Sequence, residues 1–318
     1  MKSRRDILKL GFAITIGLCI NNPLSLLGDE TCENRITVPT YTALGGSAKN
    51  AVDLSIVHIR NAYPWQSCFV GTGVSGCQIA KRLSEEYYFI GNHSSTTVLN
   101  VTDQSGESSK VIKQILPHVQ DRALVIISGS INDPEFLSLR KMVLLSSPMF
   151  LWTILESQKS ITDHTASIQP RTNESVTVIP PGTDYIKRSL VLIQTLTHVL
   201  HEPGLAGIAF GDDVMGMYAG HWTKIMDVET NDQCYGDDIR RFIMYNITHL
   251  QNAGSASLII FGDPSLNNSI LHTIPNLFND SMTPDSSLVF GAYIVEEFAS
   301  KLHVAIIMDD KLIQNRIN

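Results

Sequence analysis

The chain has no CxxC pair and no zinc-like spacing among its five cysteines, Cys19, Cys32, Cys68, Cys77 and Cys234. A metal or disulfide framework is therefore unsupported. It also lacks an excess of positive charge. Its 24 Lys and Arg stand against 31 Asp and Glu, a net charge of −7, and its pI is near 5.8. That balance argues against nucleic acid as the main partner. An apolar run of bilayer length is missing at the N-terminus as well. Leu10 to Ile20 is only 11 residues, too few to span a bilayer as a stable helix. What the chain does have is length and apolar content. At 318 residues and 43% hydrophobic, it can build two ordinary domains with real cores.

The short apolar run follows a basic start, Ser3-Arg4-Arg5-Asp6-Ile7-Leu8-Lys9. A basic n-region ahead of such a run matches a signal h-region, and the twin arginine resembles the Tat export signal. No A-x-A cleavage site is visible near Leu27, and Ile16-Gly17-Leu18 before Cys19 makes a poor lipobox. A membrane-touching helix over residues 7–20 is the other reading. The expected compartment is the bacterial periplasm or inner membrane if the segment is a signal, and the cytoplasm otherwise.

Residues 47–61 read as a helix after an irregular lead. Ser67 to Val70 then reads as a buried strand, Gly71-Thr72-Gly73-Val74-Ser75-Gly76 as a turn, and Cys77 to Glu85 as a helix. Glycines at a strand-to-helix turn let backbone N–H groups approach a phosphate at the helix N-terminus. The spacing is GxGxxG, which also suits a dinucleotide enzyme using NAD or NADP through Gly71, Gly73 and Gly76. That reading wants an acidic residue closing the second strand. With the strand placed at Tyr87 to Ser95, Gly91, Asn92 and His93 stand there instead. A turn that only packs strand against helix is the third possibility.

A strand over Ala123 to Ile127 leads into Ser128-Gly129-Ser130-Ile131-Asn132-Asp133-Pro134-Glu135-Phe136. Asp133 and Glu135 are candidates for an acid/base pair or, more simply, for capping the helix at Leu137 to Leu145. Met149 to Leu155 and Val176 to Ile179 read as strands.

From Tyr185 to Leu200 apolar residues crowd nearly every side, as in a helix buried from several directions. Pro203-Gly204 ends it. His198 and His201, at i and i+3, could share a metal but lack a third ligand. As cations near a helix C-terminus they would be favoured by its dipole. Beyond it come a short helix (Asp212 to Ala219), a strand (His221 to Val228) and an amphipathic helix (Asp237 to Leu250). Strands at Ala256 to Phe261, Leu288 to Tyr293 and His303 to Met308 follow, with a helix over Ile270 to Phe278. Trp65, Trp152 and Trp222 read as packing residues.

The hinge PGLAGIAFGDDV, with VTVIPPGTDY before the helix and the last three strands after it, resembles the FtsZ/tubulin family. The resemblance covers most of residues 65–310. It implies a Rossmann-like α/β nucleotide-binding domain and a smaller α/β domain joined by a buried central helix. It divides the chain into 65–183 N-terminal domain, 184–202 central helix, 203–311 C-terminal domain and 312–318 short tail, after a signal-like or membrane-touching segment at 1–28 and an irregular lead and helix at 29–64. It implies GTP or GDP as ligand, contacted through Gly71, Thr72, Gly73, Gly76 and Gly129. It also implies partners that are proteins or further copies of the chain. Where the family reads PGLINLDFADV, Pro203, Gly204, Leu205, Phe210 and Asp212 keep the frame. The two catalytic positions have become Gly207 and Ala209. The family's AGMGGGTGTG loop has become the stretch from Ser128 to Phe136, in which one glycine remains. Bulky Ile131, rigid Pro134 and two carboxylates are poor company for a triphosphate. The expectation is an assembly, scaffold or regulatory protein with weak or no hydrolysis. A working GTPase in cell division and the NAD(P) enzyme are the alternatives.

Overall fold

The computed structural model describes residues 42–43, 53–58, 66–85, 96–102, 115–120, 122–146, 148–157, 168–202, 204–231, 233–264, 266–295, 298 and 301–309. The signal-like segment, Trp65 and residues 86–95 lie outside them. Among the described residues, eleven strands form one sheet: β1 (Thr42–Ala43), β2 (Asp53–His58), β3 (Ser67–Thr72), β4 (Thr96–Thr102), β5 (Leu124–Ser130), β6 (Phe150–Glu156), β7 (Glu174–Ile179), β8 (Trp222–Asn231), β9 (Ser255–Gly262), β10 (Ser287–Ile294) and β11 (Lys301–Asp309). Their order across the sheet is β1-β2-β4-β3-β5-β6-β7-β8-β11-β9-β10.

The strands from β4 through β7 to β8 pair in parallel, and such strands are covered on both faces and read as continuous apolar runs. The alternation is visible residue by residue. Leu124 and Ile126 of β5, with Phe150, Trp152 and Ile154 of β6, face one core. Val125 and Ile127, with Leu151 and Leu155, face the other.

Helix α1 (Gly73–Glu85) and helix α3 (Thr183–His201) cover the first face. Helix α2 (Pro134–Leu145) and the helical residues 115–119 cover the second. In the C-terminal half, α4 (Tyr235–Asn252) and α5 (Asn268–Ser281) pack against Leu258, Ile260, Val304 and Ile306. The face opposite them, carrying Ile259, Phe261, Ala305 and Ile307, belongs to the same core as α3. The central helix is thus buried by both halves, and every residue from Ser189 to Val199 is buried.

Two sequence expectations change. Residues 53–58 are a strand, not part of a helix, and they pair antiparallel with β4 from Asp53↔Thr102 to His58↔Thr97. The β-branched Ile56 and Val57 suit that pleated setting. The second parallel strand is Thr96–Thr102, later than the expected Tyr87 to Ser95. Ser95 therefore precedes this strand instead of closing it, and the residue that follows its end in sequence is Asp103.

The two halves are joined in the sheet by the β7–β8 pair, Val176↔Trp222 and Thr177↔Thr223. Hydroxyls line this seam. Thr177 Oγ1 lies 2.6 Å from Thr223 Oγ1 and accepts from Trp152 Nε1 at 2.8 Å. At the start of β7, buried Glu174 takes both ends of a fork from Arg140 of α2, Nε at 2.7 Å and Nη2 at 2.6 Å. It also accepts from Thr153 Oγ1 at 2.6 Å and from the Arg171 N–H at 3.1 Å. A carboxylate so fully bonded is tolerated inside; an unpaired guanidinium is not. Glu174→Ala should cost about 3–5 kcal/mol in urea unfolding. A loss under about 1 kcal/mol would show that the pair does not anchor β7.

Candidate functional site

In open α/β sheets ligands bind outside the carboxyl ends of the parallel strands. Here the ends of β3 (Thr72), β5 (Ser130) and β6 (Glu156) meet the first turns of α1 and α2. Gly71, Thr72, Gly73, Gly76 and Gly129, the residues that the resemblance expects to contact a nucleotide, fall at this crevice. Its local geometry differs from the expected cradle.

No open turn spans Gly71 to Gly76. Strand β3 runs through Thr72 and α1 begins at Gly73, whose φ of +64° is what makes so abrupt a change of direction possible. Gly71 and Gly76 are packed on each other: a Cβ at Gly71 would lie 2.1 Å from the Gly76 carbonyl oxygen. A Cβ at Gly76 would lie 2.6 Å from the Ser128 carbonyl oxygen. These two glycines let strand, helix and neighbouring strand touch backbone to backbone.

Gly129 is not in a loop either. It lies inside β5, and a Cβ there would meet Thr72 Oγ1 at 2.4 Å and the Phe136 ring at 2.5 Å. The alternation of Leu124 to Ile127 simply continues through Ser128, Gly129 and Ser130, so the expected loop begins three residues late. Thr72 Oγ1 donates to the Ser128 carbonyl at 3.4 Å. Ser128 Oγ in turn sits 2.7 Å from the hydroxyl of Tyr185 in α3. Burial pushes that phenol up, so it stays neutral.

Asp133 is the N-cap of α2. Its Oδ1 accepts from the Glu135 N–H at 2.9 Å, with Pro134 opening the helix and Glu135 in its first turn. Its Oδ2 is turned toward α1, where it would be 3.5 Å from a Cβ at Gly73. The capping role is therefore met, and a carboxylate stands beside the helix start where an anion would approach.

The hinge lies at the opposite end of the sheet. Helix α3 starts beyond the ends of the parallel strands and finishes with His201 Nε2 3.0 Å from Ser67 Oγ, at the beginning of β3. Its 19 residues make it about 28 Å long. After it, Leu205 N–H donates to the Ala292 carbonyl at 2.7 Å, and Ala292 N–H returns a bond to Ala206 at 2.8 Å. Gly204 has no room for a side chain, a Cβ there falling 2.7 Å from the Ala206 oxygen. Gly204 and Leu205 of the hinge thus have a structural reason in β10.

Gly207 and Ala209, which stand where the resemblance implies catalytic residues, are exposed, as is Asp212. Residues Phe210–Met215 wind as a π-helix leading into Gly216–Tyr218, where an ordinary helix was expected from Asp212. The carboxylate that organises this turn is Asp213, which accepts from the Ala209 N–H at 2.8 Å. Sequence reading passed over it because it lies one residue beyond the motif.

His198 and His201 are not cations. Both are buried, and burial pulls each down to about 4, outweighing the helix dipole that would favour charge. Among the described residues no group of three or more His, Cys, Asp or Glu could hold a metal. Trp152 and Trp222 are buried packing residues, as expected. Burial also pushes the Cys68 thiol up to about 12, so it packs without reacting. No helix among the described residues is long and apolar enough to cross a membrane.

No known family profile matches the chain, and no curated protein does. Solved structures do. An empty FtsZ dimer from M. jannaschii superposes at 12% identity and a TM-score of 0.61, covering 78% of this chain and 88% of that one. CetZ2 from Haloferax volcanii, in a GTPγS-bound protofilament, covers 79% and 97% at 8% identity and a TM-score of 0.51. TubZ from Bacillus thuringiensis serovar israelensis, in GDP-form protofilaments, covers 79% and 89% at 9% identity and 0.51.

Because Gly129 is enclosed by Thr72 and Phe136, Gly129→Ala should destabilise the chain by about 1–3 kcal/mol through overpacking. Gly207→Ala, with nothing within 4 Å of its added Cβ, should be within about 0.5 kcal/mol of the parent. Thermal unfolding of the two variants side by side measures the contrast, and equal melting temperatures would contradict the packing described.

Proposed function

We propose that this chain, whose fold is that of FtsZ and tubulin, a mixed α/β architecture built around a buried central helix, is an assembly or scaffold protein with weak or no GTP hydrolysis. The observation that carries this reading is the packing at the crevice: a Cβ at Gly129 would meet Thr72 Oγ1 and the Phe136 ring, and the Asp133 carboxylate stands beside the start of α1. A triphosphate there would meet side chains and a like charge instead of backbone donors. At the hinge end, Gly207 and Ala209 carry no group able to act on a neighbour's nucleotide. The twin-arginine start fits the same reading, since an exported copy would work where GTP is not supplied.

Self-association supplies the partner. The two ends of the molecule, separated by the length of α3, each expose an apolar side chain: Val74 (78% exposed) at the crevice, Leu205 (45%) at the hinge. Stacking one end on the other is a heterologous contact, which propagates when the rotation does not close. Two of the similar structures are protofilaments by their own description, which supports carrying that mode over.

Calorimetric titration of the full-length chain with GTP or GDP in magnesium buffer should give no binding heat; tight binding with phosphate release would make the chain a working GTPase. Leu205→Asp should shift sedimentation toward monomer while changing unfolding free energy by less than about 0.5 kcal/mol. An unchanged sedimentation profile would remove the hinge from the contact.

The dinucleotide reading keeps one observation in its favour. Gly71, Gly73 and Gly76 do the packing and turning that a GxGxxG motif does, and Asp103 follows the end of β4. A thermal-shift comparison with NAD and NADP separates it, because only this reading expects stabilisation.

A further inference from the structure

The last turn of α3 joins three parts of the molecule through two buried histidines. His201 reaches the N-terminal half, its Nε2 3.0 Å from Ser67 Oγ at the first residue of β3. His198 reaches the C-terminal half. Its ring stands edge-on to Phe261 of β9 and Tyr293 of β10, with centroids 5.2 Å and 6.1 Å away. Its Nδ1 lies 2.8 Å from the Gln194 carbonyl oxygen, so Nδ1 carries the hydrogen and donates. The hinge loop begins three residues after His201, tied to β10 at Leu205 and Ala206 and by the bond between the Ile208 backbone and the Tyr293 hydroxyl.

We propose that His198 and His201 form an acid-operated latch: neutral, they hold the end of the central helix to both halves, and protonated, they release hinge residues 204–213 before the sheet core opens. This goes beyond the assembly reading and does not depend on it.

The surroundings offer an added proton one carboxylate, Glu202 at the helix end, and otherwise groups that are neutral or already engaged. On α3 itself the facing groups are the other histidine and Glu202, at the helix end. β3 contributes the Ser67 hydroxyl, and β9 contributes Phe261. β10 contributes Tyr293, whose phenol is pushed up by burial and stays neutral. Beyond Phe261 stands His303, whose Nε2 is 3.2 Å from Asp227 Oδ2, so that carboxylate is already engaged. Lys187, with the like-charged Arg188 nearby, also acts on Asp227. His201 Nδ1 has no partner at all. A second charge one helical turn from the first adds repulsion.

The direction of the pH effect follows. Burial, and for His201 also the charge of His198, holds both groups at about 4, against about 6.5 for a free histidine. The released state binds protons more readily than the latched one. The latch is therefore fully engaged above pH about 6.5 and is lost as pH falls from there toward 4.

Hydrogen exchange of the full-length chain, corrected for intrinsic rates, reads this directly. Residues 204–213 should lose protection by at least about tenfold between pH 6.5 and 4.5, while β5 and β6 keep theirs. In His198→Gln/His201→Gln, which cannot charge, the hinge should show no such pH dependence. Should that variant fail to fold, Ser67→Ala retains both rings and removes one partner. Its hinge protection should fall severalfold already at neutral pH. Simultaneous loss of protection in hinge and core would overturn the proposal. So would an unchanged pH dependence in the double variant, or a Ser67→Ala hinge as protected as the parent.

Discussion

Everything else in this molecule is arranged around keeping α3 dry. A helix exposed nowhere along its middle cannot be stabilised by an amphipathic face alone; it needs apolar partners all round. The sheet supplies them from both halves, β5 and β6 on one side and β8, β9 and β11 on the other. The helix nevertheless carries Ser189, Gln194, Thr195, Thr197 and His198 in that interior. Thr197 returns its hydroxyl to Ile193 and Gln194, and His198 bonds the Gln194 carbonyl, so part of this polarity is satisfied within the helix. Packing from both sides has to outweigh what remains, and that requirement fixes the two halves relative to each other.

At 8–13% identity, what the chain shares with the solved structures is the fold. Its own close backbone contacts, Gly71 against Gly76 and Gly204 against Ala206 and Ala292, are steric necessities, because a Cβ at Gly71 or Gly204 would meet a carbonyl oxygen.

Much of the fold was legible because its signals are periodic and local. The strands of the C-terminal half, the amphipathic α4 and the all-round apolar α3 fall within a few residues of where the pattern puts them. What could not be read was set by contacts distant in sequence. Residues 53–58 become a strand because β4 offers an antiparallel edge. Gly129 stays in β5 because Phe136 and Thr72 close over it. The charge state of His198 depends on Phe261 and Tyr293, more than sixty residues away in sequence. Helix-end statistics favour a cation there, and tertiary burial reverses them. The crevice was located by its glycines, but whether it stands open depends on side chains arriving from α2.

The β7–β8 seam gives the sheet a mechanical character. Two ladder pairs, a row of hydroxyls and backbone bonds from Gly220 and Val176 stitch the halves edge to edge, while α3 lies across them like a splint. Bending about the seam is opposed by the splint, whereas shearing along it is opposed by Thr177, Thr223 and those few bonds beside them. A load passed from one end of the molecule to the other would therefore be carried stiffly in flexion and more yieldingly in shear.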